Sequence, residues 1–280
     1  MIKDITIGQY FPGHSVVHKL DPRLKLVLTF VYILFIFFCK NFVSLAVMVA
    51  YLLLTVLLSK ISAKMLLKSL KPIVIIVAIT AVLQIFYNKD GTVLLELGKF
   101  QLTSGGIYMA LFTTIRIVSL VAASSMLTYT TSPTLLTDAI ERLFSPLKVF
   151  KINVHSIAMM MTIALRFIPT LIDEVDKIMS AQKARGAELD TGNLIQRGKA
   201  LVPVFIPLFV NAFTRAYDLA FAMECRCYRG GEGRTRLRVM KLQARDYLAT
   251  AFTAGLYGGR FGCKPFPNRG YLIKKDFFAV

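Results

Sequence analysis

The 280-residue sequence is poor in acid, with 16 Asp and Glu against 34 Lys and Arg, a formal charge of +18. A surplus of that size suits nucleic acid, anionic lipid headgroups or an acidic partner. Histidine is scarce, and His14 and His18, although four apart, lie in a segment holding Pro12 and Gly13 with no third ligand for zinc. The four cysteines, at 39, 225, 227 and 263, fall in an apolar run, a Cys-x-Cys and a tail. That spacing excludes a disulfide framework and a complete metal site, and Cys225 and Cys227 are read as facing a reducing compartment. "GGEGR" at 230–234 is followed by no Gly-Lys-Ser/Thr, so it is a turn and not a phosphate loop. No nucleophile and base pair stands out either.

Tryptophan is absent, yet 55% of the residues are hydrophobic, and mean hydropathy is +0.60. The average residue is too apolar for an ordinary soluble domain, so the charge surplus is read against a membrane and not against nucleic acid. The first twenty residues contain no continuous apolar core, so the first apolar run is expected to stay in the mature protein. Leu24–Cys39 and Phe42–Ser59 approach the ~20 residues that span a bilayer core. Lys40 and Asn41 alone separate them, which predicts an antiparallel helical hairpin. Pro72–Tyr87 is a third expected span, its proline placed in a first turn. Thr92–Thr103 reads as a small hairpin around Gly98 and Lys99, outside the membrane. Gly106–Thr130 is a fourth span, and Arg116 within it is expected to face protein or snorkel, since an arginine near a helix centre costs ~2.5–3.5 kcal/mol on insertion scales.

Basic residues set the expected orientation. Lys19, Arg23 and Lys25 precede the first span, and Lys60, Lys64, Lys68 and Lys71 join the second and third, whereas Lys40 stands alone. The N-terminus and everything after the fourth span are therefore expected in the cytoplasm. Residues 131–245 read as amphipathic helices lying against a membrane. A short helix opens at Ser132 and Pro133. A second runs over Val154–Ala184, with Met161, Leu165, Ile168, Ile172, Val175 and Met179 on one face, Arg166, Thr170, Asp173, Lys177 and Ser180 on the other, and a kink at Pro169. A third runs over Lys199–Cys225, with Asn211, Arg215 and Asp218 on a polar stripe. A last apolar run, Tyr247–Tyr257, is short for a span and leads into a basic tail.

The second and third amphipathic helices end alike, on an arginine between small residues: Ala184-Arg185-Gly186 and Cys225-Arg226-Cys227. Such an end can enter a groove on another protein, where a guanidinium grips a carboxylate in bidentate fashion. Met159, Met160, Met161, Met179 and Met223 offer adaptable apolar contacts to an interface that repacks. A competing enzymatic reading rests on "DEVD" at 173–176: a prenyl-type transferase would hold magnesium through Asp173, Glu174 and Asp176, although no second acidic cluster exists and Lys177 sits beside the first. A free-standing secondary transporter would need internal repeats, which are not visible.

"GQYFPGHSVVHKLDPRLKL" at the start, "LRFIPTLIDEVDKIMSAQKARGAEL" in the middle and "FTRAYDLAFAMECRCYRGGEGRTRL" further on resemble the T component (EcfT, related to CbiQ) of energy-coupling factor transporters, prokaryotic vitamin and metal-ion importers of the ABC class. The resemblance covers nearly all of residues 8 to 250. It implies a multi-pass protein of the prokaryotic plasma membrane, all-α, with four to five transmembrane helices plus long amphipathic cytoplasmic coupling helices. The expected regions are a membrane domain over 1–130, a coupling-helix domain over 131–245 and a short final helix with a basic tail over 246–280. The implied role is non-catalytic, with no cofactor, no metal and no nucleic acid. The implied partners are two ATP-binding ABC subunits, alike or different, one substrate-binding membrane S component, and the bilayer. By the same resemblance Arg185 and Arg226 each dock in a groove of one ATPase, with Ala184, Gly186, Cys225 and Cys227 as their flanks. The cysteines replace the family's commoner alanine and glycine. The family's last membrane helix is usually longer than Tyr247–Tyr257.

Overall fold

A computed structural model describes residues 10–39, 41–87, 93–97, 100–150, 153–187, 193–230 and 242–262, and most of them are helical. The "LDPR" motif explains the first helix, α1, Pro22–Phe37. Asp21 caps it by accepting from the Arg23 N–H at 2.9 Å, the Arg23 guanidinium folds back onto the same carboxylate, and Pro22 occupies the first turn, where no N–H is needed. At sixteen residues α1 is ~24 Å long, somewhat under the ~30 Å of a bilayer core. α2 follows at Phe42–Ser59; Lys40, the expected lone external lysine, lies outside the described residues.

The next stretch corrects an expectation. The basic connection over 60–71 is itself helical: α3, Ala63–Leu70, passes through one 3-10 turn at Lys71–Ile73 into α4, Val74–Tyr87. Its Lys64 and Lys68 are exposed, while Met65 and Leu66 pack against Ile61, Met126 and Tyr129. A short amphipathic turn of helix was hidden by its lysines. Pro72 starts a turn inside the run instead of starting the run. No residue of α4 is buried, and Val74, Ile75, Ile79 and Leu83 are each more than half exposed, as suits a helix whose outer face meets lipid or another subunit.

Strands β1, Val93–Leu97, and β2, Phe100–Thr103, pair antiparallel in the expected hairpin, whose tip at 98–99 is outside the described residues. Thr103 then caps α5, Ser104–Thr130, by accepting from the Gly106 N–H. α5 is the centre of its unit because small buried residues on it, Ala110, Ser119, Ala122 and Ala123, let neighbours approach closely. Against it pack Tyr32 and Ile36 of α1 and Leu45, Met48 and Leu52 of α2, the last three spaced as one helix face. Arg116 faces protein: its guanidinium donates to the Cys39 carbonyl at 2.7 Å and lies 4.6 Å from the centre of the Phe112 ring.

The last helix, α9, runs Ala244–Gly262 and is longer than the Tyr247–Tyr257 expected from hydropathy. The physical reason is a polar start. Asp246 reaches back to the Gln243 N–H at 2.7 Å and sets the helix going before its apolar residues begin. The other Asp246 oxygen accepts from the Asp21 N–H at 2.9 Å, which ties the first turns of α1 and α9 together. Farther along, the Tyr51 and Thr253 hydroxyls meet at 3.2 Å.

Residues before α1 fold over the same end of these helices. The Phe11 N–H donates to the Tyr129 carbonyl. His18 is held between the Ser15 hydroxyl at 2.6 Å and the Phe11 carbonyl at 3.1 Å. A side chain at Gly13 would strike that imidazole at 2.8 Å. Burial keeps the His18 pKa below its ordinary 6.5, the Phe11 carbonyl opposes it, and the charge of Lys25 adds to the lowering.

α1 to α5 with α9 form one compact unit, and residues 133–230 form another. The second contains α6, Pro133–Leu143, a 3-10 segment at Ser145–Phe150, α7, Val154–Ala184, and α8, Leu194–Cys225. His155 at the start of α7 bonds Glu141 of α6 at 2.9 Å. α7 matches its expected limits and continues through Pro169. α8 starts five residues earlier than Lys199, because the Gln196 side chain accepts from the Asn193 N–H and secures a polar first turn that hydropathy does not register.

Candidate coupling site

α7 and α8 are antiparallel, and their contacts keep one register. Gln182 donates to the Pro203 carbonyl at 3.3 Å, Asn211 donates to Glu174 at 2.6 Å, Arg215 pairs with Glu174 at 3.3 Å, and the Tyr228 hydroxyl donates to the Met159 sulfur at 2.9 Å. Glu174 is therefore the joint between the two helices, gripped by an amide and a guanidinium from α8. The stripes expected on α7 agree with burial: Leu165, Ile168, Ile172, Val175 and Met179 are half-buried, while Arg166, Thr170, Asp173, Lys177 and Ser180 are exposed. Met161 departs from its stripe and is exposed.

Both helices close with the same backbone device. At the end of α7 the Gly186 N–H donates to the Lys183 carbonyl at 3.0 Å and the Ala187 N–H to the Gln182 carbonyl at 3.0 Å. At the end of α8 the Cys227 N–H donates to the Glu224 carbonyl at 2.8 Å and the Tyr228 N–H to the Met223 carbonyl at 3.0 Å. These are two Schellman turns. Arg185 and Arg226 occupy the identical cap position, with φ/ψ of −84°/5° and −93°/18°. The left-handed residue that follows is Gly186 (φ 85°) in one and Cys227 (φ 55°) in the other. A turn that glycine adopts freely is thus held by a cysteine, at a cost of ~1 kcal/mol.

Each arginine is exposed, and neither guanidinium has a hydrogen-bond or ion-pair partner among the described residues. Their position at a helix C-terminus favours a cation through the helix dipole. The Schellman bonds occupy the Gln182 and Lys183 carbonyls at one end and the Met223 and Glu224 carbonyls at the other, and the guanidinium donors of Arg185 and Arg226 stay available to a partner. Because the helices are antiparallel, the two arginines lie at opposite ends of the pair. Tyr228 contacts Met159, which sets Arg226 about 24 residues of α7 away from Arg185, or ~36 Å at 1.5 Å per residue. The methionines divide accordingly. Met159, Met160, Met161 and Met223 lie at the Arg226 end and Met179 at the Arg185 end; Met160 and Met161 are exposed, and the other three are half-buried.

Sequence reasoning passed over one face. Val202, Ile206, Phe209, Phe213, Tyr217 and Phe221 step by three or four along α8, and all are exposed, with the Phe209 and Phe213 rings 4.8 Å apart. Their three- and four-residue spacing is the sequence signal that marks this face. The "DEVD" cluster, in contrast, does not act as a set: Glu174 is committed to α8, and Asp173 lies exposed on the opposite stripe.

Among the described residues, five helical runs are long and apolar enough to cross a membrane: Phe42–Ser59, Ala63–Tyr87, Ser104–Thr130, Val154–Ala184 and Ile195–Cys225. The set differs from the expected one, since it includes α7 and α8 and leaves out the shorter α1. With this composition and an architecture that is helical apart from the β1–β2 hairpin among the described residues, the class is an all-α, multi-pass integral membrane protein. Residues 13–237 match the family CbiQ, cobalt transport protein. The energy-coupling factor transporter transmembrane protein EcfT of Ruminiclostridium cellulolyticum is 52% identical over 253 residues, 90% of this chain and 94% of that protein. EcfT of Clostridium kluyveri is 52% identical over 251 residues, 89% and 93% of the two chains. EcfT of Thermosediminibacter oceani is 48% identical over 255 residues, 91% and 96% of the two. The chain belongs to the EcfT/CbiQ family: it is the membrane component of an energy-coupling factor transporter, a non-catalytic subunit that works in a complex with others.

Proposed function

We propose that this chain transmits ATP-driven motion of two ATP-binding ABC subunits, one protein twice or two different ones, to a separate substrate-binding membrane subunit, for uptake of a vitamin or metal ion. Arg185 and Arg226 dock in one ATPase groove each, flanked by Ala184, Gly186, Cys225 and Cys227. The observation that carries the reading is the pair of matching Schellman ends, each presenting an exposed arginine, ~36 Å apart on one antiparallel pair. Two separated and equivalent contact points suit a dimeric partner whose halves approach and part. A rigid joint at Glu174, Asn211 and Arg215 converts motion at the ends into motion of the whole pair. The exposed α8 stripe and the methionines then form a surface that repacks against the substrate-binding subunit. In this reading the N-terminus, α7 and α8 are cytoplasmic, with residues 1–130 as the membrane domain, 131–245 as the coupling domain, and 246–280 as a final helix and tail. Basic residues around Lys19, Arg23, Lys60, Lys64 and Lys68 support that side.

The Arg185→Glu and Arg226→Glu double variant tests it. Expected are loss of ATPase co-purification and of uptake, with unchanged membrane insertion. Wild-type co-purification and uptake would falsify the docking role.

A further inference from the structure

A cavity of about 480 Å³ opens among α1, α2, α5, α9 and the segment before α1. Its size falls in the range of small-molecule sites. Its walls are apolar, from residues such as Leu58, Ala123 and Phe252, with a few Thr and Tyr hydroxyls. The charged residues that line it are Lys25 and Arg245, both cations, and no Asp or Glu does. Its charged residues, Lys25 and Arg245, lie in the first turns of α1 and α9, and the apolar lining runs from there to Tyr32, Tyr51 and Phe252, so the cavity has a charged end and reaches toward the middle of these helices. Lys19, Arg23 and Lys60 cluster at that same end. This is the level at which a membrane protein meets lipid headgroups.

The two cations differ in what they have left to give. Lys25 is buried, and its ammonium already donates to the His18 and Thr130 carbonyls and the Thr131 hydroxyl, so its three donors are spent at the floor. The nearby carboxylates are also engaged: Asp21 with Arg23, and Asp246 with two backbone N–H groups. Arg245 is exposed at the rim and has no partner among the described residues, so its guanidinium is available to a phosphate. We infer that this cavity holds one acyl chain of an anionic phospholipid, with the headgroup phosphate on Arg245. A small soluble anion would leave the apolar walls uncovered, and water gains few partners there. An uncharged apolar guest would leave Arg245 unused.

Native mass spectrometry of the full chain in detergent, delipidated and then mixed with phosphatidylglycerol or phosphatidylcholine, tests the inference. Expected is one retained phosphatidylglycerol per chain and distinctly weaker retention of phosphatidylcholine, whose choline cation offsets the phosphate charge beside Arg245 and the lysines at that end. Arg245→Gln should weaken that retention roughly fivefold, the loss anticipated for one basic contact to an anionic headgroup. Ala249→Trp, which fills the cavity, should abolish it in protein that melts like wild type. Equal retention of both lipids, wild-type retention by Arg245→Gln, or retention by a folded Ala249→Trp variant would each overturn the assignment. Should Ala249→Trp not fold, the exposed Arg245→Gln variant decides alone.

Discussion

Replacing Asp246 with alanine removes two charge-assisted acceptors at once. One partner, the Asp21 N–H, lies in a buried residue at the start of α1. Leaving it orphaned costs ~1–3 kcal/mol. The other, the Gln243 N–H, belongs to an exposed residue and turns to water, at ~0.5–1 kcal/mol. Asp246→Ala should therefore destabilise the α1 and α9 junction by ~1.5–4 kcal/mol. Asp246→Asn keeps one acceptor oxygen and should lose about half of that. Thermal unfolding in detergent reads the total, and hydrogen exchange at the α9 amides in nanodiscs reads where it is lost. The graded order, wild type over Asn over Ala, with the extra exchange confined to the first turns of α9 and α1, is the expected result. An alanine variant within ~0.5 kcal/mol of wild type, or exchange raised uniformly over α2 and α5, would refute the staple.

Other outcomes follow from single contacts. Gly186→Ala should cost ~1 kcal/mol through backbone strain alone, since an added Cβ meets nothing within 4 Å, whereas Cys227→Gly should be neutral or stabilising; chemical denaturation of the two variants shows whether the signs differ. A double-mutant cycle of Glu174→Gln and Arg215→Met should give a coupling of ~0.5–1 kcal/mol, modest because the guanidinium is well exposed, and zero coupling would remove Glu174 as the joint. His18 has its pKa lowered on folding, so the folded chain binds fewer protons than the unfolded one just below pH 6.5 and stability falls as pH drops through that value. Melting temperatures at pH 7.5 and pH 5 should show this fall, and His18→Gln should lessen it.

Legibility varied with the kind of interaction. α2, α5 and α7 could be placed to within about two residues because their limits are set by hydropathy and by local caps such as Thr103 and Asn153. α3 was masked by lysines on one side of a two-turn helix. The early starts of α8 and α9 come from polar capping groups, Gln196 and Asp246, which count against a helix in an apolar window. At the candidate site the arginine pair and its small flanks were readable as a repeated motif. Their equivalence as Schellman caps was not, because Gly-like φ at Cys227 has no signature in the residue itself.

By itself the sequence determined the helical class, the membrane setting, the family and the two arginine ends, since each depends on composition or on neighbours a few positions apart. Tertiary structure decided what needs distant residues to meet. The antiparallel register that sets Arg185 and Arg226 at opposite ends rests on Glu174 finding Asn211 and Arg215. The staple between α1 and α9 rests on Asp246 finding Asp21. The cavity above Lys25 exists because four helices and a loop leave space that no local pattern encodes. Burial makes such pairs costly to break, and only the fold determines which groups are buried together.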